Sequence, residues 1–240
     1  ITYLSLDALT FPVPSFVEFP FYAGGSILTE STPKACFSLL PSGSMRFRWT
    51  EVNKNRSNFF KQILSAHHTI FPIELIHSKT VYIIEKDTPW INIRGDGLLT
   101  QDHSVVPVIT AADCMPIYLY NPKIQCFGVL HSGWKGTGIA AEALKLAKKN
   151  FGARSEDFHI ILGPHIQSCC YTVDKERANY FSNTFTPHCI THSHNEYHLS
   201  LAQANISMLQ EEGVLPQNIA CYSDCTSCGR LFEKPYLGSF

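Results

Sequence analysis

The segment TAADCMPIYLYNPKIQCFGVLHSGWKGT, residues 110–137, constrains the fold more than any other part of the chain. Two apolar, β-branched and aromatic runs, 115–120 and 124–130, flank Asn121-Pro122-Lys123-Ile124. Asn suits the first position of a type I turn, and Pro at the second presets φ near about −65°. Four-residue hairpin loops are most often built on that turn. In this register Tyr120 faces Gln125, paired residue numbers sum to 245, and Cys114 lies directly opposite His131. Facing Cβ atoms are ~4.5–5.5 Å apart, which lets a thiolate and an imidazole meet at one metal ion through bonds of about 2.3 and 2.0 Å. A buried Cys is also a small hydrophobe, and a strand-end His is also a hydrogen-bonded core group. The pair alone therefore leaves metal ligation, nucleophilic catalysis and packing open.

Around the hairpin, strands are expected at 17–22, 70–77, 80–84, 105–109 and 159–162, where β-branched and aromatic residues cluster. Helices are expected at 52–64, 138–150, 174–182 and 201–212, with Gly152 and Gly213 as stops. Strands and helices alternate irregularly, which predicts an α/β (mixed α+β) fold with a mixed sheet. With no repeat and no linker, all 240 residues read as a single domain. A glycine-rich loop, Ser132-Gly133-Trp134-Lys135-Gly136-Thr137, follows His131 and leads into a helix, where backbone N–H groups favour an anion. Its spacing is not that of a Walker loop.

Composition excludes several classes. Nineteen Lys+Arg against 20 Asp+Glu, without a long run of either sign, argue against nucleic-acid and membrane-surface binding. No apolar stretch reaches a membrane-spanning length, and the first residues lack a signal-peptide pattern. The nine cysteines are too sparse for a disulfide scaffold and point to a reducing compartment, so a cytoplasmic location is expected.

The blocks ADC114MPIYLYN, H131SGWKGT and G163PHIQSCCYTV173 resemble the signatures of the laccase-domain (polyphenol oxidase) family, also read as zinc-dependent purine nucleoside phosphorylases. GDGLLT, VNKNR and HLSLAQANISMLQEEGV follow the same family's order. The resemblance implies the family's cysteine-hydrolase-like fold and a zinc ion held by His77, Cys114 and His131. It further implies phosphorolysis of adenosine, inosine, guanosine or methylthioadenosine to base and ribose 1-phosphate. Adenosine deamination at the same site is implied as well. Partners are then small molecules, a purine nucleoside and phosphate, with the oligomeric state left open. Arg56 and Lys135 are the candidate phosphate contacts, and His165 a candidate acid in contact with substrate. Against the family pattern, Leu75, Ser132 and Lys135 are substitutions, and the C-terminal block is reduced to CTSCGRLFEKPYLGSF.

Four rivals stand beside this reading. Cys114 as nucleophile with His131 as base would make a hydrolase or deamidase, for which His77 is superfluous. A degenerate family member would bind without catalysing. His194-Asn195-Glu196 with Cys225-Thr226-Ser227-Cys228 imitates a zinc-deaminase signature, but Asp224 replaces its proline. Copper polyphenol oxidation needs many paired histidines, and the pairs here, His67-His68 and His192/His194, lie in polar stretches.

Overall fold

Ile117 and Leu119 pack into one hydrophobic cluster and Tyr118 and Tyr120 into another, so the strand that carries them is buried on both faces. The computed structural model describes residues 1–6, 14–28, 33–89 and 91–230. Its main sheet has seven strands: β1 (Thr2–Leu4), β2 (Val81–Ile83), β3 (Gly97–Thr100), β4 (Met115–Asn121), β5 (Cys126–Ser132), β6 (His159–Leu162) and β7 (Ile219–Tyr222). They lie in the order β1-β7-β6-β4-β5-β3-β2. The central β6-β4-β5-β3 pairings are antiparallel, and those toward both edges are parallel. This is the mixed sheet expected from the irregular alternation of elements.

Helix α2 (Ile139–Phe151) and helix α4 (Leu201–Glu211) cover the face that carries Ile117, Leu119, Ile160 and Leu162. On the other face Tyr120, Ile161, Ala220 and Tyr222 pack against Phe19, Phe21 and Leu39 of the N-terminal region. Helix α1 (Lys54–Ile63) starts where the Asn53 side chain accepts a bond from Arg56 N, and α3 (Lys175–Thr184) where Asp174 accepts from Arg177 N. Ser200 caps α4 in the same way, and Gly152 ends α2 in the left-handed conformation at φ 64°. Among the described residues no helix is long and apolar enough to cross a membrane.

Three expectations need correction. The run 17–22 divides into Phe16–Phe19, paired with Ala35–Ser38, and the short strand Tyr22–Ala23. The run 70–77 is a strand only over Thr69–Pro72, because Pro72 has no N–H to continue a ladder. From there the chain crosses toward residues 93–95, and His77 lies outside any strand. The central hairpin is also in another register: Pro116 pairs with His131, so paired numbers sum to 247, not 245. The loop is residues 122–125. Asn121 Oδ1 accepts from Lys123 N at 3.1 Å, and Gln125 takes φ 52°, so Gln125 belongs to the turn and not to the strand. The offset is an even number, which leaves every side chain on its expected face. Cys114 is thus the diagonal neighbour of His131, not its opposite, still within reach across the strands.

Candidate metal centre

The deepest of the three convergent donors is His131, on β5. It is 3% exposed, and its backbone N–H donates to Asp96 O at 2.7 Å, which anchors the strand to the segment before β3. The ring is fixed by the same residue: Nδ1 donates to Asp96 Oδ1 at 3.2 Å. Nε2 is therefore the nitrogen left to a ligand, the usual arrangement in which a carboxylate orients a metal-binding histidine. Asp96 is fully buried, and its carboxylate also accepts from His77 N at 2.9 Å, Ser78 N at 2.6 Å and Ser78 Oγ at 2.7 Å. Burial opposes its ionisation, but the bonds from His131 and Ser78 outweigh it and hold the carboxyl below its usual range.

That carboxylate shapes the second donor. His77 is exposed and sits at φ 57°, a left-handed conformation that disfavours residues with a Cβ. The two N–H bonds from His77 and Ser78 to Asp96 hold the turn there. The His77 and His131 rings meet edge to face, with centroids 5.0 Å apart. The third donor, Cys114, comes just before β4. Gly133 makes room for it, since a Cβ at that position would stand 2.7 Å from Cys114 Sγ. One ligand atom from each of His77, Cys114 and His131 lies within 4.8 Å of the others.

The cluster is electrostatically polarised. Burial works against a charged His131, but hydrogen bonds to Asp96 and Cys114 prevail and raise its pKa to about 9. Burial, then the neighbouring His131, lowers that of His77; Lys135 and Arg48 add to the effect. Lys135 Nζ lies 5.2 Å from the centroid of the Trp134 ring, and the Arg177 guanidinium lies 4.3 Å from it. Trp134 is 38% exposed, so this forms a basic shelf on the surface. Burial raises the Tyr171 pKa, Arg177 opposes the rise and Cys114 adds to it, so the hydroxyl senses both the shelf and the cluster.

The structure does not bring the remaining candidates to the cluster. Arg56 is 7% exposed, with its guanidinium 4.7 Å from the Phe47 ring, 4.9 Å from Phe60, and Nη1 donating to Met45 O. It lines a largely apolar cavity of about 620 Å³, together with Phe16, Phe59, Thr110, Ala111 and Pro116. None of the three convergent donors lines that cavity. Burial lowers the Arg56 pKa to about 10. His165 is fully enclosed, its Nδ1 donating to Gly163 O at 2.8 Å and its Nε2 accepting from Gln167 Nε2. Desolvation lowers its pKa to about 4, so it is neutral at pH 7. Beyond the glycine-rich loop, the first turn of α2 is closed by Ile139 N donating to Gly136 O and Ala141 N to Gly138 O.

Sequence reasoning missed Asp96, Arg48, Tyr171 and Arg177. Asp96 stands in GDGLLT, where the carboxylate between two glycines was the available signal. Arg177 stands one turn into a helix and carried no signal of its own.

Residues 46–232 match the family model described as multi-copper polyphenol oxidoreductase laccase. The chain is 33% identical to purine nucleoside phosphorylase LACC1 of Mus musculus over 66% of its length, which is 37% of that protein. It is 32% identical to the Homo sapiens protein of that name over 80% of its length, 45% of the relative. A purine nucleoside phosphorylase of Clostridium acetobutylicum is 30% identical over 63% of this chain and 64% of its own. The chain thus spans less than half the length of the mammalian relatives. Among solved structures, YlmD from Geobacillus stearothermophilus superposes with a TM-score of 0.70 at 28% identity, covering 80% of this chain and 75% of its own. NMB0706 of Neisseria meningitidis gives 0.74 at 14% identity over 94% and 93%, a likeness of fold.

Proposed function

This chain belongs to the multi-copper polyphenol oxidoreductase laccase family, and we propose that it acts as a zinc-dependent purine nucleoside phosphorylase. The observation that carries the reading is the convergence of His77 with Cys114 and His131. A Cys–His dyad uses two groups, and a third donor is superfluous to it. Two imidazoles and one thiolate are a donor set of catalytic zinc, with the fourth position open. Around a tetrahedral ion with bonds of about 2.0–2.3 Å, ligand atoms stand about 3.3–3.8 Å apart. Donors already within 4.8 Å close to that spacing by side-chain rotation. A multicopper centre draws on many histidines, and among the described residues the donor groups contain only these two.

When bound by His77, Cys114 and His131, zinc would supply Lewis-acid chemistry beside the basic shelf of Lys135 and Arg177. Phosphorolysis breaks the C1′–N bond of a purine nucleoside such as adenosine, inosine, guanosine or methylthioadenosine. A phosphate oxygen forms the new bond to C1′, and the proton of the phosphate ends on the departing base nitrogen. The sugar passes through an oxocarbenium-like state, as in glycoside cleavage. We assign phosphate to the cations beside the cluster, Lys135 and Arg177 on Trp134 and Arg48 near His77. Arg56 is assigned to the wall of the neighbouring cavity, and His165 to holding the loop after β6.

The test is elemental analysis joined to an assay of base release from the purified protein. About one zinc fewer in Cys114→Ala than in wild type, activity that requires phosphate, and loss on chelation with recovery on zinc are expected. Equal zinc in wild type and folded Cys114→Ala, or base release indifferent to phosphate, overturns the reading. Ammonia release from adenosine without phosphate would report deamination at the same site.

Two further outcomes follow from the geometry. With Nδ1 of His131 committed to Asp96, its additional proton sits on Nε2, where a metal must displace it. That proton is bound below a pKa of about 9, and zinc also displaces any proton on the Cys114 sulfur, so zinc affinity should climb at least about tenfold per pH unit from neutrality and flatten only above pH 9. Competition titrations against a chelator of known proton dependence measure this. Lys135→Ala should raise the phosphate KM by about tenfold with a small change in kcat, the mark of lost binding in ground and transition states alike. An unchanged KM removes Lys135 from the phosphate site.

A further inference from the structure

β6 and β7 are parallel neighbours, so their carboxyl ends deliver two loops to the same edge of the sheet. One loop carries Cys169 and Cys170, the other Cys225 and Cys228. The loops are joined by an isolated bridge between His165 and Cys225, and Thr226 N donates to His165 O at 3.2 Å. The four sulfurs of Cys169, Cys170, Cys225 and Cys228 all lie within 4.8 Å of one another. Cys169 Sγ is 3.8 Å from Cys170 Sγ and 3.6 Å from Cys228 Sγ. A tetrahedron with metal–sulfur bonds of about 2.3 Å has edges of about 3.8 Å, whereas a disulfide brings its sulfurs to about 2.05 Å. The spacing is that of ligands around a common centre.

The backbone is arranged for thiolates. Gln167 N donates to Cys225 Sγ at 3.4 Å, and Gly229 N to Cys225 O at 3.0 Å in the turn of Cys-Thr-Ser-Cys-Gly. Two residues between the paired cysteines is the common spacing of structural zinc sites. Cys169 is exposed and Cys228 half-buried, so an ion has a way in.

We propose that Cys169, Cys170, Cys225 and Cys228 hold a second zinc ion in a closed four-thiolate site that clamps the loops after β6 and β7. Binding breaks the S–H bonds of the four thiols, whose protons leave to solvent, and forms four Zn–S bonds without change of oxidation state. The clamp bears on Cys114 through the residue before it: Asp113 Oδ1 accepts from Thr226 Oγ1 at 2.7 Å, and Asp113 O accepts from Ile166 N at 2.9 Å. The second site is thus a positioning element for the first, and its existence does not depend on the nucleoside chemistry.

Elemental analysis of the reduced whole protein, loaded with zinc and freed of excess, reads the stoichiometry directly. Wild type should carry one zinc more than the double variant Cys225→Ser/Cys228→Ser, whatever the occupancy at His77, Cys114 and His131. As a check independent of how that variant folds (both loops meet there), thiol titration of wild type with and without zinc is the companion measurement. Zinc should protect all four cysteines from a thiol reagent, and X-ray absorption at the zinc edge should show a sulfur-dominated average shell. Equal zinc in wild type and a folded double variant overturns the proposal. So does unchanged reactivity of the four thiols when zinc is added, or a disulfide within the set in protein kept reduced.

Discussion

His77→Ala should lower zinc affinity by roughly 10²- to 10³-fold, and phosphorolysis with it, while leaving the thermal stability of the zinc-free protein nearly unchanged. Structural zinc binding is worth about 10–16 kcal/mol over its ligands, so each ligand carries about 3 kcal/mol. The side chain is exposed and packs no core, so its loss falls on the metal and not on the fold. The companion His77→Gly should lose the same affinity yet gain about 1 kcal/mol of stability, because glycine adopts φ 57° without a Cβ penalty. Zinc competition titration, kcat/KM and melting of both variants decide the matter. A nucleophilic Cys114–His131 dyad keeps both of its members in these variants. Near-wild-type activity would therefore favour the dyad and remove the metal mechanism.

Asp96→Ala should be the most damaging single substitution near the site, acting on fold and metal together. It withdraws the acceptor from His77 N, Ser78 N, Ser78 Oγ and His131 Nδ1. Removing one partner of a buried, hydrogen-bonded ionic group costs about 3–5 kcal/mol. Losing the residue that orients a metal-ligating histidine lowers metal affinity by about 10- to 100-fold. Denaturant unfolding with and without saturating zinc separates the two effects. The fall without zinc reports the fold, and the smaller gain on adding zinc reports affinity. A normal gain from zinc in Asp96→Ala would show that the ring of His131 is oriented by something else.

The sheet was legible because its signal is chemical and local. The β-branched runs of β4, β5 and β6 have few conformational alternatives, and Asn53, Asp174 and Ser200 mark helix starts by the same bond each time. The hairpin register was not, since it hangs on whether Gln125 turns or extends, and glutamine carries no strong preference for φ 52°. Cys114 and His131 were nevertheless identified as neighbours, because an even offset preserves the face. His77 entered only through family resemblance. Its left-handed turn is imposed by Asp96, nineteen residues away, and no local pattern announces such a contact. The four cysteines gave no joint signal, because Cys170 and Cys225 are 55 residues apart and the two pairs meet only through the pairing of β6 with β7. The C-terminal block beyond Arg230 lies outside the described residues.

The sheet order has a consequence for the moment at which this protein becomes itself. β1 pairs in parallel with β7, Thr2 beside Ala220, and among the described strands it has no other partner. During vectorial synthesis the first strand is therefore made more than two hundred residues before its neighbour. β7 must then pair with β6 on one side and β1 on the other. Ribosome-bound chains that end before residue 219 have an unsatisfied sheet edge at β6, a surface prone to wrong pairings and to capture by chaperones. Closure of that seam also delivers the loop that carries Cys225 and Cys228, so synthesis of residues 219–228 completes the sheet and gathers the four sulfurs in a single event.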